Sequence, residues 1–152
     1  AHGKVKNSET EVFFVNTLFP IRLAAKAKEA GVGSFIFMSS TSVYDDRISS
    51  VDECSDCYPS SLYGWSKLLA EQALGAMTAS EFRVVILRAP MIYGPDAPGN
   101  PARLTSLIRR FRVLPLGGIE NKRTFLHIDN LIAAIERIIT HNSDGTFCIA
   151  DD

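Results

Sequence analysis

The chain has 152 residues, of which 46% are hydrophobic and 22% charged, and its formal net charge is −1. That length suits one domain with a real core, and the balanced charge gives no electrostatic reason to expect nucleic acid or an anionic membrane as a partner. No apolar run approaches the ~20 residues that span a bilayer, and no stretch of signal-peptide length follows the amino end.

Reading along the chain, Ser8 is a plausible helix cap, and Val12, Val15, Phe19 and Leu23 recur behind it at helical spacing. Pro20 falls inside that helix and should bend it or loosen a turn, because proline cannot donate the backbone bond. Gly31 and Gly33 end it. Ser34-Phe-Ile-Phe-Met38 then reads as a buried strand. Residues 40–60 are polar and loop-like. A second helix is expected from about Leu62 to Met77, with Leu62, Trp65, Leu69 and Ala73 as its apolar positions, followed by a buried strand over Arg83–Arg88.

Pro90, Gly94, Pro95, Pro98 and Gly99 mark a loop, and a short helix follows over about 101–110, with proline in its first turn. Strands are expected at 113–116, 124–127 and 146–149. A helix capped by Asp129 and carrying Leu131, Ile135 and Ile138 lies between the last two. Strands alternating with amphipathic helices give an α/β fold with a largely parallel sheet. In such a sheet the chemistry belongs beyond the carboxyl ends of the strands, just after residues 38, 88 and 127.

Three cysteines, Cys54, Cys57 and Cys148, fit a reducing cytoplasm better than a disulfide-stapled fold. Cys54-Ser-Asp-Cys57 is a lone C-x-x-C without a second ligand pair, and the three histidines are scattered, so no metal site is expected.

Tyr63-Gly-Trp-Ser-Lys67 places a tyrosine and a lysine one helical turn apart on one face. Composition alone would give about 0.16 such pairs, so the pair is suggestive by itself. A tyrosine acting as base at neutral pH must be lowered from about 10 at a cost of about 4 kcal/mol, to which a nearby ammonium contributes. A strand ending in hydroxyls, Phe35-Ile-Phe-Met-Ser-Ser-Thr-Ser-Val-Tyr44, precedes it by 23 residues and supplies a hydrogen-bonding partner beside the base.

With these pieces in hand, the chain resembles the extended short-chain dehydrogenase/reductase family, and within it the UDP-glucose 4-epimerase-like sugar epimerases. The matching segments are Val15-Asn16, Gly31 to Ser40, Val43-Tyr44, Tyr63-x-x-x-Lys67, Leu87-Arg-Ala-Pro-Met-Ile-Tyr-Gly-Pro95 and Arg123-Thr-Phe-Leu-His-Ile-Asp129, in family order. The resemblance implies a Rossmann-like doubly wound sheet. Residues 1–90 would be the second half of an NAD-binding domain, and 91–152 a partial substrate-binding region interleaved with its last elements.

The resemblance also implies roles. Tyr63 would be the acid/base, Lys67 would hold the nicotinamide ribose, and Ser40 would be the hydroxyl partner of Tyr63. Asn16, Met38, Ser39 and Pro90 would join Tyr63 and Lys67 around NAD. Ser40, Thr41, Met91 and Arg123 would face the nucleotide-sugar, with Arg123 gripping its pyrophosphate. Helices near 8–30 and 62–78 would pair two copies in a homodimer.

Several features depart from the family. The glycine-rich G-x-x-G-x-x-G turn is absent, and Gly31 and Gly33 do not replace it because they end a helix instead of opening one. The chain thus reads as an active-site portion that begins partway through the cofactor domain. Met91 stands where many relatives carry Asn, and Asp45 where a glycine often follows the Val-Tyr pair. A 4,6-dehydratase would need an Asp-Glu pair at positions 41 and 42, which here are Thr and Ser. The expectation is therefore an NAD-dependent nucleotide-sugar epimerase in the cytoplasm. The alternatives are a reductase or dehydratase of the same family, or a non-catalytic binding or dimerising chain.

Overall fold

In the computed structural model, which describes residues 8–95 and 124–151, every strand pair is parallel. Strand β1 (Ser34–Ser40) pairs along its whole length with β2 (Arg83–Ala89), and β2 pairs with β5 (Gly145–Cys148), in the order β1-β2-β5. A separate two-stranded sheet joins β3 (Met91–Tyr93) to β4 (Phe125–His127). Strand β3 falls in the stretch that its prolines and glycines mark as a loop. Its three residues sit between Pro90 and Gly94 and become a strand only by pairing with a segment far along the chain.

The near-continuous apolar run of β2 is explained by its burial on both faces. Alternate residues point opposite ways. Val84 and Ile86 join Phe37 against Ala24, Ala70, Leu74 and Phe82, whereas Val85, Leu87 and Ala89 meet Leu126, Leu131 and Ile138. Helices α2 (Phe19–Glu29) and α3 (Leu62–Gly75) thus cover one face, and α4 (Ile128–Thr140) covers the other.

The first helix starts as expected. Ser8 accepts from the Glu11 amide at 3.2 Å and opens α1 (Glu9–Phe13). A π-helical segment, Phe14–Leu18, links α1 to α2, and its closing bond runs from the Phe19 amide to the Phe14 carbonyl. Pro20 accounts for the wider turn: without an N–H it leaves the Asn16 carbonyl unserved, and the ladder slips by one residue. Gly31, at φ +76, ends the helix in the left-handed region.

The apolar stripes of these helices do not face the sheet. Val15, Phe19 and Leu23 are about half exposed, as are Leu62, Trp65 and Leu69 on α3. The inward positions are Thr17 and Ala24 on the first helix, and Gly64, Ser66, Leu68, Ala70, Glu71 and Leu74 on α3. Helix α4 starts one residue before Asp129. Its cap is His127, whose Nδ1 accepts from the Asp129 amide at 3.3 Å, so Asp129 falls in the first turn. The helix expected at 101–110 and the strand at 113–116 lie outside the described residues.

Candidate active site

The carboxyl end of β1 and the start of α3 meet around one close approach. Ser61 caps α3 by accepting from the Gly64 amide at 3.0 Å, which places Tyr63 in the first turn and Lys67 one turn later. A Cβ on Gly64 would lie 2.1 Å from the Ser42 carbonyl oxygen and 2.9 Å from the Pro59 Cβ. Only glycine lets the turn after β1 seat against α3 this closely. Ser40 ends β1 and caps the 3-10 turn Thr41–Val43. Its Oγ accepts from the Ser42 amide and donates to the Ser42 hydroxyl, both at 3.1 Å.

Burial dominates the electrostatics of both helix residues. It pushes the Tyr63 phenol above its ordinary value, with the Ser40 hydroxyl acting in the opposite direction. It pulls the Lys67 ammonium down, opposed by the charge of Glu71. Lys67 Nζ donates to the Met38 carbonyl at 2.8 Å and sits 4.7 Å from the Phe37 ring centre. It lies 5.8 Å from the centre of the Tyr63 ring. The expected lowering of Tyr63 by Lys67 is therefore not what this arrangement gives. The ammonium turns to the strand carbonyl, and desolvation of the phenol wins.

The remaining predicted residues divide. Asn16 sits half-buried in the π-helical segment, and its neighbour Thr17 donates to the Ser66 carbonyl of α3 at 2.7 Å. Ser40, Thr41, Pro90 and Met91 line an open cleft of about 770 Å³, together with Tyr44, Asp45 and Arg88. Tyr63 and Lys67 are not in its lining, and the cleft reaches the start of α3 through Ser40 and Ser42. Met38 packs its side chain into the apolar cluster under β2. The Ser39 hydroxyl is committed to Glu71, leaving only its backbone for a cofactor, which narrows the expected role. Arg123 lies outside the described residues.

Two charged residues below the site were missed. Arg88 and Glu71, 7% and 4% exposed, form an ion pair at 2.7 Å. The signals were an arginine next to last in a strand that is apolar from Val84 to Leu87, and a glutamate four residues beyond Lys67 on a helix face that is buried.

Residues 1–150 match the family model described as the NAD dependent epimerase/dehydratase family. The chain belongs to the NAD-dependent epimerase/dehydratase family. Members of this epimerase/dehydratase family are enzymes, and the parallel α/β architecture is the one they share. The chain is 37% identical over 144 residues to a UDP-glucose 4-epimerase of Vibrio cholerae, an alignment covering 90% of this chain and 44% of that protein. MoeE5, solved in complex with UDP-glucose and NAD, matches at 29% identity and a TM-score of 0.68, over 88% of this chain and 47% of that one. An ADP-L-glycero-D-manno-heptose-6-epimerase of Helicobacter pylori matches in fold at 20% identity and a TM-score of 0.81, over 97% and 49%. The chain thus spans about half the length of these epimerase/dehydratase relatives. Among the described residues no helix is long and apolar enough to cross a membrane, and no three His, Cys, Asp or Glu side chains group as a metal site would need.

Proposed function

We propose that this chain carries the acid/base centre of an NAD-dependent nucleotide-sugar 4-epimerase acting on a UDP-hexose. The observation that carries the reading is the close seating of the turn after Ser40 on the first turn of α3, which brings the Ser40 hydroxyl to the Tyr63 phenol, with Lys67 one turn further along.

The donor set at this point suits a dinucleotide. Lys67 has three N–H donors and commits one to Met38, leaving two for ribose hydroxyls. Asn16, the backbone of Ser39 and the Pro90 segment would complete the nearer walls. NAD, when bound, supplies reversible acceptance of a hydride from the sugar carbon. Tyr63 takes the proton from the sugar hydroxyl and returns it after the keto-sugar has turned. Ser40 hydrogen-bonds the same oxygen and favours the phenolate. Thr41 and Met91 line the substrate side of the cleft, and Arg123 would hold the pyrophosphate.

The exposed apolar stripes support a homodimer. Phe14, Val15, Leu18 and Phe19 are exposed on the first helix, and Trp65 and Leu69 on α3, which packs beside it; a second copy would bury both sets in a four-helix contact. Residues 1–90 form the catalytic part of the nucleotide-binding domain in this reading, with 91–152 contributing to the substrate side. Three free cysteines are in keeping with a cytoplasmic enzyme.

The test joins this chain to a glycine-rich nucleotide-binding segment and supplies UDP-glucose with catalytic NAD. Formation of UDP-galactose without net reduction of NAD supports the reading. Net accumulation of NADH or of a dehydrated sugar would replace it with one of the family's other reactions.

A further inference from the structure

A buried arginine at the end of an apolar strand requires an explanation, because burying its charge is costly unless every donor is matched. Arg88 is matched at all three of its nitrogens. Its Nε donates to both Glu71 oxygens at 3.2 and 3.1 Å, its Nη2 to Oε2 at 2.7 Å, and its Nη1 to the Tyr44 hydroxyl at 2.7 Å. The Tyr44 hydroxyl donates onward to the Asp52 carbonyl at 2.7 Å and lies 3.0 Å from Cys148 Sγ. Glu71 also accepts from the Ser39 hydroxyl.

The chain positions of these contacts matter more than their number. Ser39 and Tyr44 bracket the four residues Ser40–Val43, the segment that presents the Ser40 hydroxyl beside Tyr63. Ser39 is also the direct register partner of Arg88 across β1 and β2. Adjacent strand side chains point to opposite faces, so holding the Ser39 side chain on the Glu71 side sets the direction in which Ser40 points. On the far side, the Tyr44 amide donates to the Thr41 carbonyl at 3.1 Å and closes the 3-10 turn, while its hydroxyl is fixed by Arg88.

Stability alone does not account for the group, since well-packed apolar residues often replace a buried ion pair without loss. A directional clamp does account for it. We propose that Arg88, acting through Glu71 and Tyr44, is a positioning residue that fixes the Ser40 hydroxyl against Tyr63. Tyr44 is not a second acid/base: burial holds its phenol far above the ordinary tyrosine value. The proposal rests on the acid/base reading of Ser40 and Tyr63 given above.

The experiment is a double-mutant cycle on the chain joined to a glycine-rich nucleotide-binding segment, with UDP-glucose and NAD. Tyr44→Phe removes one oxygen and keeps the buried ring. It should lower kcat about tenfold, the scale of a sub-ångström misplacement, with KM within about twofold. Because the Ser40 hydroxyl favours the phenolate, loosening it raises Tyr63, so the acid limb of the kcat profile moves to higher pH. In a Ser40→Ala background, Tyr44→Phe should cost less than about twofold, since the group it positions is gone. Ser39→Ala, which releases the other end, should behave in the same way and stands in if Tyr44→Phe folds poorly. Full activity in both variants, or an equal loss with and without Ser40, overturns the positioning role. Wild-type turnover in Ser40→Ala alone overturns the acid/base reading beneath it as well.

Discussion

Gly64→Ala is a sharp perturbation because two ordinary effects favour it and one opposes it. Alanine is better than glycine inside a helix by about 1 kcal/mol, and it also narrows the unfolded ensemble. Gly64 lies in the first turn of α3, so a substitution judged by propensity alone would stabilise. The added Cβ, however, would lie 2.1 Å from the Ser42 carbonyl oxygen, 3.1 Å from its carbon and 2.9 Å from the Pro59 Cβ. Two of the three atoms are backbone, so no rotamer change relieves the contact. Overpacking of a buried site costs about 1–3 kcal/mol and sometimes more, and a contact this short belongs at the upper end. The net expectation is a loss of about 2 kcal/mol, or roughly 4–8 °C in Tm for a domain of this size. Thermal unfolding gives the stability arm. The kinetic arm follows from the same geometry: if the turn after β1 moves away to relieve the clash, Ser40 moves with it, and turnover falls at least about tenfold. A variant that is as stable and as active as the parent would refute the close packing of β1's end on α3.

Other outcomes follow from the same contacts. Arg88→Met leaves Glu71 buried with only the Ser39 hydroxyl, and urea titration should show a loss of about 3–5 kcal/mol. Asp45, held by exposed Arg47 through its amide and guanidinium, should titrate at about 2 in carboxyl NMR, and Arg47→Ala should move it up toward the ordinary range. The sign follows from the depressed value: whatever stability this pair adds is present above the ordinary aspartate range and is lost as pH falls toward 2. If the proposed dimer forms, Trp65→Glu, on the exposed stripe of α3, should turn it into monomer in sedimentation without changing the far-ultraviolet dichroism; an unchanged dimer would place the interface elsewhere.

What could be read directly from the sequence was local. Ser8, Gly31 and the Tyr63–Lys67 spacing carry their meaning within one or two turns, and the strands at 34–40 and 83–89 announce themselves as apolar runs between breakers. The stripes at Val15–Leu23 and Leu62–Leu69 show the opposite case. Periodicity reveals that a helix has an apolar face, but not whether that face meets this chain's own sheet or another surface. Thr17 and Glu71, the polar residues that do face inward, are matched by Ser66, Ser39 and Arg88, partners 32 to 49 residues away in two of the pairs. The strand Met91–Tyr93 and the Arg88 network depend on such non-local pairing, which no short window contains. The motif at Tyr63 points to the proposed chemistry from the sequence alone, whereas the contacts of Arg88, Glu71 and Tyr44 around Ser39–Tyr44 became visible only with β1, β2 and α3 assembled.

In the proposed function, Tyr63 moves the proton in a nucleotide-sugar epimerisation. Its most direct test is turnover of UDP-glucose by the Tyr63→Phe variant, joined to the nucleotide-binding segment, with substrate and cofactor binding measured in parallel. Loss of the phenolic oxygen removes a general acid/base worth about 10²–10⁴ in rate, so turnover should fall by that factor or more while both ligands still bind. Turnover at the parent's rate would contradict the account.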